Sequence, residues 1–402
     1  MVSSGNLTPE QHRRLHEKFT RIRYKPVSVA SILKTIWSLS DIGLDLAFYA
    51  YFSRDTEAAE RVLDINRVID ENLAQFIMHT ALAYGRTREG AEASLLAFYY
   101  GSAIDTIVDS VKDIVYTLLV GHAPSLSYDE IALLMDGEIV AKLVLEKPVK
   151  IIELTDAYPV DVLLSVHAGK SMLAPSPETI LPAKSTIYVR GYRENVIRLL
   201  SDHGATLQEK RLSGELEQVL KSIVELKDYT RLMIDLAHYT LLEPEPGVVE
   251  EVEDLEVYID WRQLDALNKL KEASGKINPD TFIGLSILFK ELEDIADASN
   301  TISHIPSLLE ELPEEYSEVF AKIFETIGEK IKTITVSRET SLDRVTVWLR
   351  KYGGTVLAVK TGDAWIAYPL ARNPVLKPGD KLVVAYPAEF TEEVGQLLKN
   401  HI

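Results

Sequence analysis

The stretch Glu293-Asp294-Ile295-Ala296-Asp297-Ala298-Ser299-Asn300 has a partial copy, Asp105-Thr106-Ile107-Val108-Asp109, 188 positions earlier in the chain. Spacings of four and three put Glu293, Asp297 and Asn300 on one face of a helix. Phe282, Leu285, Leu288, Leu292 and Ile295 supply the apolar stripe such a helix needs. Working outward, the interval returns. Asp45-Leu46-Ala47 reads like Asp235-Leu236-Ala237, and Val62, Asp64 and Asp70 recur as Val252, Asp254 and Asp260, all 190 positions apart. Val166-His167-Ala168-Gly169 matches Val359-Lys360-Thr361-Gly362 at 193, and Leu181, Ile187 and Val189 match Leu376, Leu382 and Val384 at 195. An ordered series on one diagonal implies an internal duplication, with small loop insertions behind the drift. The period is far too long for a solenoid.

At 402 residues the chain is long for one core, so several domains are expected. The formal net charge of −18 argues against broad nucleic-acid binding, which needs positive charge along a phosphate backbone. With no cysteine, disulfides, thiolate metal sites and cysteine nucleophiles are excluded. Residues 1–11 are polar, so no export is expected, and the most apolar helical run, Ile32 to Phe52, carries Lys34, Asp41 and Asp45. The expectation is a cytoplasmic protein, with peripheral attachment at the inner face of the membrane left open.

A basic arm opens the chain. Residues 12–25 read His-Arg-Arg-Leu-His-Glu-Lys-Phe-Thr-Arg-Ile-Arg-Tyr-Lys, either a solvated helix or a contact with anionic lipid or an acidic partner. Three amphipathic helices follow between Val27 and Gly121, with breaks near Asp55-Thr56 and Tyr84-Gly85-Arg86-Thr87; Asp55 or Thr56 caps the second. Short connections between long helices imply an antiparallel bundle. Beyond Pro124 the pattern turns to strands at 138–147, 162–166, 171–173 and 186–189, with a short helix at 149–155 and a last one from Arg193 to Asp202. This reads as a small α+β module with mostly local hairpin connections. The second half repeats the programme: helices near 214–243, 248–274 and 280–303, a linking helix near 314–329, strands at 333–336, 356–359, 364–367 and 381–385, and a closing helix. The fold class is α+β: two antiparallel three-helix bundles alternating with two small α+β modules, as a tandem duplication. The expected domains are the arm at 1–26, bundles at 27–122 and 208–311, and α+β modules at 128–205 and 314–402.

Residues 341–398 resemble the TrkA-C (RCK C-terminal) domain, a ligand-sensing module of ion-transport regulators. The likeness rests on Gly353-Gly354-Thr355-Val356-Leu357-Ala358-Val359, Ile366, Pro369, Leu376-Lys377-Pro378-Gly379-Asp380 and Leu382-Val383-Val384. The copy at 148–200 keeps the apolar skeleton but has Lys184-Ser185 in place of Gly379-Asp380. The helical parts resemble PhoU bundles, whose third-helix Glu-x-x-x-Asp pattern with a following Asn matches Glu293, Asp297 and Asn300. The first copy has Asp105 and Asp109, with Lys112 in place of the Asn, and the second helix adds Glu256 and Asp260. Together these features resemble archaeal-type PhoU/TrkA-C fusions.

These resemblances imply a soluble regulatory subunit of an ion transporter or channel, for potassium or another cation. Its TrkA-C domains are expected to pair within the chain as a pseudo-dimer, with further homo-oligomerisation left open. The implied ligands are a nucleotide-type molecule at that pair, or a divalent metal ion on the acidic faces formed by Glu293, Asp297, Asn300, Glu256, Asp260, Asp105 and Asp109. A PhoU-like metal-binding signalling protein linked to phosphate uptake is the alternative, and a structural adaptor without ligand is a third. Dinucleotide and P-loop fingerprints, a Gly-x-Ser-x-Gly elbow and a His-Glu-x-x-His helix are all missing from the sequence, so no enzyme is expected.

Overall fold

A computed structural model of the protein describes residues 23–83, 88–124, 128–135, 138–207, 215–242, 246–309, 329–362, 364–367, 375–387 and 390–401. The arm over 12–22, the break at 84–87, the linking helix over 314–328, Asp363 and Pro369 lie outside these residues. The chain divides into two compact units, each assembled from both halves. One draws on residues 1–128 and 212–327, the other on 129–211 and 328–402.

The first unit holds α1 (Val29–Ser53), α2 (Thr56–Ala83) and α3 (Arg88–Leu119), then α7 (Glu215–Leu242), α8 (Pro246–Ala273) and α9 (Pro279–Ser303). Each trio packs on itself, and α3 packs against α9. Local chemistry sets the helix starts. Asp55 Oδ1 accepts from the N–H groups of Glu57 and Ala58 at 3.1 Å each, so Asp55 is the cap of α2. Asn278 Oδ1 accepts from Thr281 N at 2.6 Å, with Pro279 at the first helical position of α9. The repeat is visible in the buried positions: Ala97, Tyr100, Ile104 and Ile107 of α3 and Leu285, Leu288, Leu292 and Ile295 of α9, 188 apart, are all buried.

The second unit holds α4 (Tyr128–Ala132) at its border, then β1 (Glu138–Val144), β2 (Val149–Lys150), α5 (Ile151–Ala157), β3 (Asp161–His167), β4 (Lys170–Leu173), β5 (Ile180–Leu181), β6 (Thr186–Tyr192) and α6 (Arg193–Asp202). After α10 (Ile305–Leu309) of the helical unit come β7 (Glu329–Thr335), β8 (Thr340–Ser341), α11 (Leu342–Arg350), β9 (Thr355–Thr361), β10 (Ala364–Ala367), β11 (Val375–Leu376), β12 (Lys381–Pro387) and α12 (Thr391–His401). Both copies build an antiparallel four-stranded sheet in the same order, β1-β6-β3-β4 and β7-β12-β9-β10, and each adds a two-stranded ribbon, β2-β5 and β8-β11.

The sheets correct the expectation of mostly local hairpins. Among the described residues only β3–β4 and β9–β10 are hairpins, while the late strands β6 and β12 insert between strands far earlier in sequence. Burial explains it. All but the first residue of β6 are buried, as suits a central strand, whereas β4 is mostly exposed and sits at an edge. The β3–β4 turn is Ala168-Gly169, both with positive φ (50° and 76°), the geometry that matches strand twist.

Candidate functional site

The acidic face lies where α8 and α9 run side by side. Carboxylate oxygens of Glu256, Asp260 and Asp297 all lie within 4.8 Å of one another. Glu256 and Asp260 stand one helical turn apart at i and i+4 on α8, and the packing of α9 against α8 brings Asp297 across to them. Glu293 stands one turn before Asp297. Burial, then the charges of Asp297, Asp294 and Asp260, push its carboxyl up to about 7. Glu256 and Asp297 are also raised, in each case by burial first and then by neighbouring carboxylates, beginning with Asp260. The group is short of positive charge; Lys290, paired with Asp294, is the cation that bears on Glu293. Asn300 is half-buried, and its Oδ1 is 3.4 Å from the Ser303 hydroxyl.

The first copy keeps the geometry of the helices and changes the chemistry. Asp105 and Asp109 are half-buried on α3, and Lys112 Nζ lies 2.5 Å from Asp109 Oδ1. Asn66 and Asp70 occupy the places of Glu256 and Asp260. Among the described residues, only the second copy brings three carboxylates together. A set of carboxylate oxygens alone fits a hard divalent cation rather than a soft one.

A second cluster escaped the sequence reading. Between α1 and α7, Lys227 Nζ lies 2.9 Å and Arg231 Nη1 2.7 Å from the two oxygens of Asp45, and Arg231 Nη2 lies 2.5 Å from Asp41. Lys227, Arg231 and both aspartates are at least 87% buried at the side chain. Burial works against the Lys227 ammonium, but Asp45 and Asp228 outweigh it and raise its pKa. Arg231 and Asp41 are equivalent positions, 190 apart, as are Lys227 and Trp37, and His238 and Phe48. The contacts obey the same pseudo-twofold relation: Trp37 packs on His238, and Lys227 lies over the Phe48 ring. Burial pushes the His238 imidazole down to about 3, so it stays neutral with Nδ1–H donating to Ile234 O at 2.7 Å. The available signal was a lysine and an arginine one turn apart on a helix, though their partners are over 180 positions away.

In the second unit the two copies also touch. Tyr192, at the end of β6 and 4% exposed, donates its hydroxyl to Gly354 O at 3.1 Å. The Arg350 guanidinium lies 4.9 Å from the Tyr192 ring centre. Asn195 Nδ2 donates to Pro159 O at 3.2 Å and to Arg350 O at 3.4 Å, joining the copies again.

Among the described residues no helix is long and apolar enough to cross a membrane. No protein-family model matches the chain, and no curated protein does. Among solved structures the chain is similar to the crystal structure of the GsuK RCK domain, at 10% identity and a TM-score of 0.17, over 78% of this chain and 80% of that one. It is similar to the GsuK channel and to the GsuK channel bound to NAD, each at 10% identity and a TM-score of 0.16, over 78% of this chain and 66% of those. At these values the likeness decides nothing about this chain.

Proposed function

We propose that the chain is a regulatory protein of a membrane ion transporter or channel. Two ligand-sensing α+β modules pair within one chain, and the paired helical bundles pass the signal on. The observation that carries this reading is the junction of the two modules, where Tyr192 meets Gly354 and Arg350, and Asn195 spans Pro159 and Arg350. Two like modules held together form an element with alternative arrangements, and a ligand that favours one of them shifts the population. The resemblance of 341–398 and 148–200 to TrkA-C domains supplies the ligand class, a nucleotide-type molecule.

A thermal-shift panel on metal-stripped protein tests it, with potassium, magnesium, manganese, iron, phosphate, adenine nucleotides and cyclic dinucleotides. A ligand at 100 times its dissociation constant adds about 2.7 kcal/mol of stability, well within detection. A shift with nucleotide supports the sensor, and silence from every nucleotide rejects it.

The convergence of Glu256, Asp260 and Asp297 favours a second reading, a PhoU-like metal-binding signalling protein linked to phosphate uptake. Here Glu256, Asp260 and Asp297 hold a divalent cation through carboxylate oxygens, and Glu293 adds negative charge beside them. A shift with magnesium or manganese that is lost in the Glu293→Ala/Asp297→Ala protein supports this reading. An undiminished shift in that variant counts against it.

A further inference from the structure

The outer face of α8 differs from its counterpart on α2. Val257, Trp261 and Leu264 follow one another along α8 at helical spacing and are 64%, 59% and 60% exposed. At the matching places, 190 positions earlier, α2 carries Arg67, Glu71 and Ala74. The bundle therefore folds without an apolar stripe there, and the stripe belongs to the second copy alone. Contiguous exposed apolar residues of this kind mark contact surfaces.

Trp261 is also held in place. The Arg262 guanidinium lies 5.6 Å from the Trp261 ring centre and 5.8 Å from that of Tyr258, and it is tied to Glu225. An aromatic anchor already fixed in the free protein loses little side-chain entropy on contact. The surroundings are negative. Glu250, Glu253 and Asp254 are exposed on the preceding turns, and Glu256 and Asp260 flank the stripe on the side of α9. His304 lies 3.4 Å from Glu253, and Arg262 is spent on Glu225 and Asp265.

We propose that this face of α8 is a docking surface for an amphipathic helix that carries lysine or arginine beside its apolar residues. The stripe at i, i+4 and i+7 is a ridge along the helix, the shape another helix packs against. Basic side chains flanking the partner's apolar face would meet the carboxylates, which repel one another until they do. The surface stands on α8 alone and does not depend on which protein supplies the helix.

The test is calorimetric titration of the full chain with a synthetic amphipathic helical peptide of leucine and lysine, and with its leucine–glutamate counterpart. The triple variant V257R/W261E/L264A places on α8 the residues α2 already presents on a folded bundle. The wild type should bind the lysine peptide and not the glutamate peptide, and the triple variant should bind at least about tenfold more weakly. A second variant, Glu253→Gln with Asp260→Asn, keeps the stripe and should weaken binding less while reducing its salt sensitivity. Failure of the wild type to bind the lysine peptide overturns the proposal, as does equal binding of the glutamate peptide or an unchanged affinity in the triple variant. Self-association of the wild type that the triple variant loses would assign the face to a second copy of the chain and also overturn it.

Discussion

Asp109 and Asp297 hold the same place on the third helices of their bundles, yet one is neutralised by Lys112 at 2.5 Å and the other faces Glu256 and Asp260. The same divergence appears in a turn of the second unit. Gly379 (φ 100°) and Lys184 (φ 66°) both sit in the left-handed region and both turns make the same backbone bonds. Gly379 N donates to Val336 O at 2.9 Å, and Lys184 N donates to Leu145 O at 2.7 Å. Asp380 Oδ2 accepts from Lys377 N at 2.7 Å. The equivalent of Lys377 is Pro182, which has no N–H, and there Ser185 in place of the aspartate donates its hydroxyl to Pro182 O at 2.7 Å. The backbone of a duplicated unit outlasts its side-chain chemistry, and what replaces a lost interaction is chosen by what the neighbour still offers.

The junction of α1 and α7 is where the comparison can be broken hardest. An identical pair on a twofold axis sets like charge against like, whereas the duplicated chain sets Arg231 against Asp41. Asp45→Ala strands the buried Lys227 ammonium and should cost about 3–5 kcal/mol in chemical denaturation, because an uncompensated buried charge is left behind. A cost below ~1 kcal/mol would mean that the cluster does not join the copies.

Gly284 sharpens the comparison at the third helix. A Cβ there would collide with His122 O and the Tyr51 hydroxyl, which are themselves 3.3 Å apart. In the first copy the corresponding residue is Leu96, buried without difficulty. Gly284→Ala should therefore destabilise by about 1–3 kcal/mol, the usual cost of overpacking, read from the thermal midpoint. Lys184→Gly works in the opposite direction. It relieves a left-handed lysine and should stabilise by roughly 0.5–1 kcal/mol after the added freedom of the unfolded chain is subtracted.

A pH dependence is also expected. The Glu293 carboxyl is raised from 4.5 to about 7 in the folded protein, so the native state holds its proton longer than the unfolded chain. This group's contribution is fully present below the unfolded pKa and is lost as pH rises toward 7. Stability followed by denaturation across that window should fall less steeply in Glu293→Gln than in the wild type.

Much of this organisation is legible in the sequence because its signals are local. Helix periodicity places Pro279–Ser303 within one residue of the expected 280–303, and the i, i+4 spacing exposes the acidic face. The meeting of Asp297 with Glu256 and Asp260 also needs only the packing of adjacent helices. What the sequence does not reveal is non-local: β6 entering between β1 and β3, Asp45 meeting Lys227 and Arg231, and a Lys184 turn that keeps the shape of a glycine turn. No spacing rule links residues so far apart, and a positive φ at lysine is set by the surrounding bonds rather than by lysine's own preference.

The account rests on the two copies completing each other within one chain. The protein has no native cysteine, so Ile197→Cys and Val347→Cys, at positions 39% and 54% exposed on α6 and α11, give two unambiguous spin-label sites. Because Asn195 reaches Arg350 across the junction, the labels should report one short, narrow distance that survives dilution with excess unlabelled chain. A broad, long distance within the chain, or a short one that vanishes on dilution, would contradict it and move the pairing between chains.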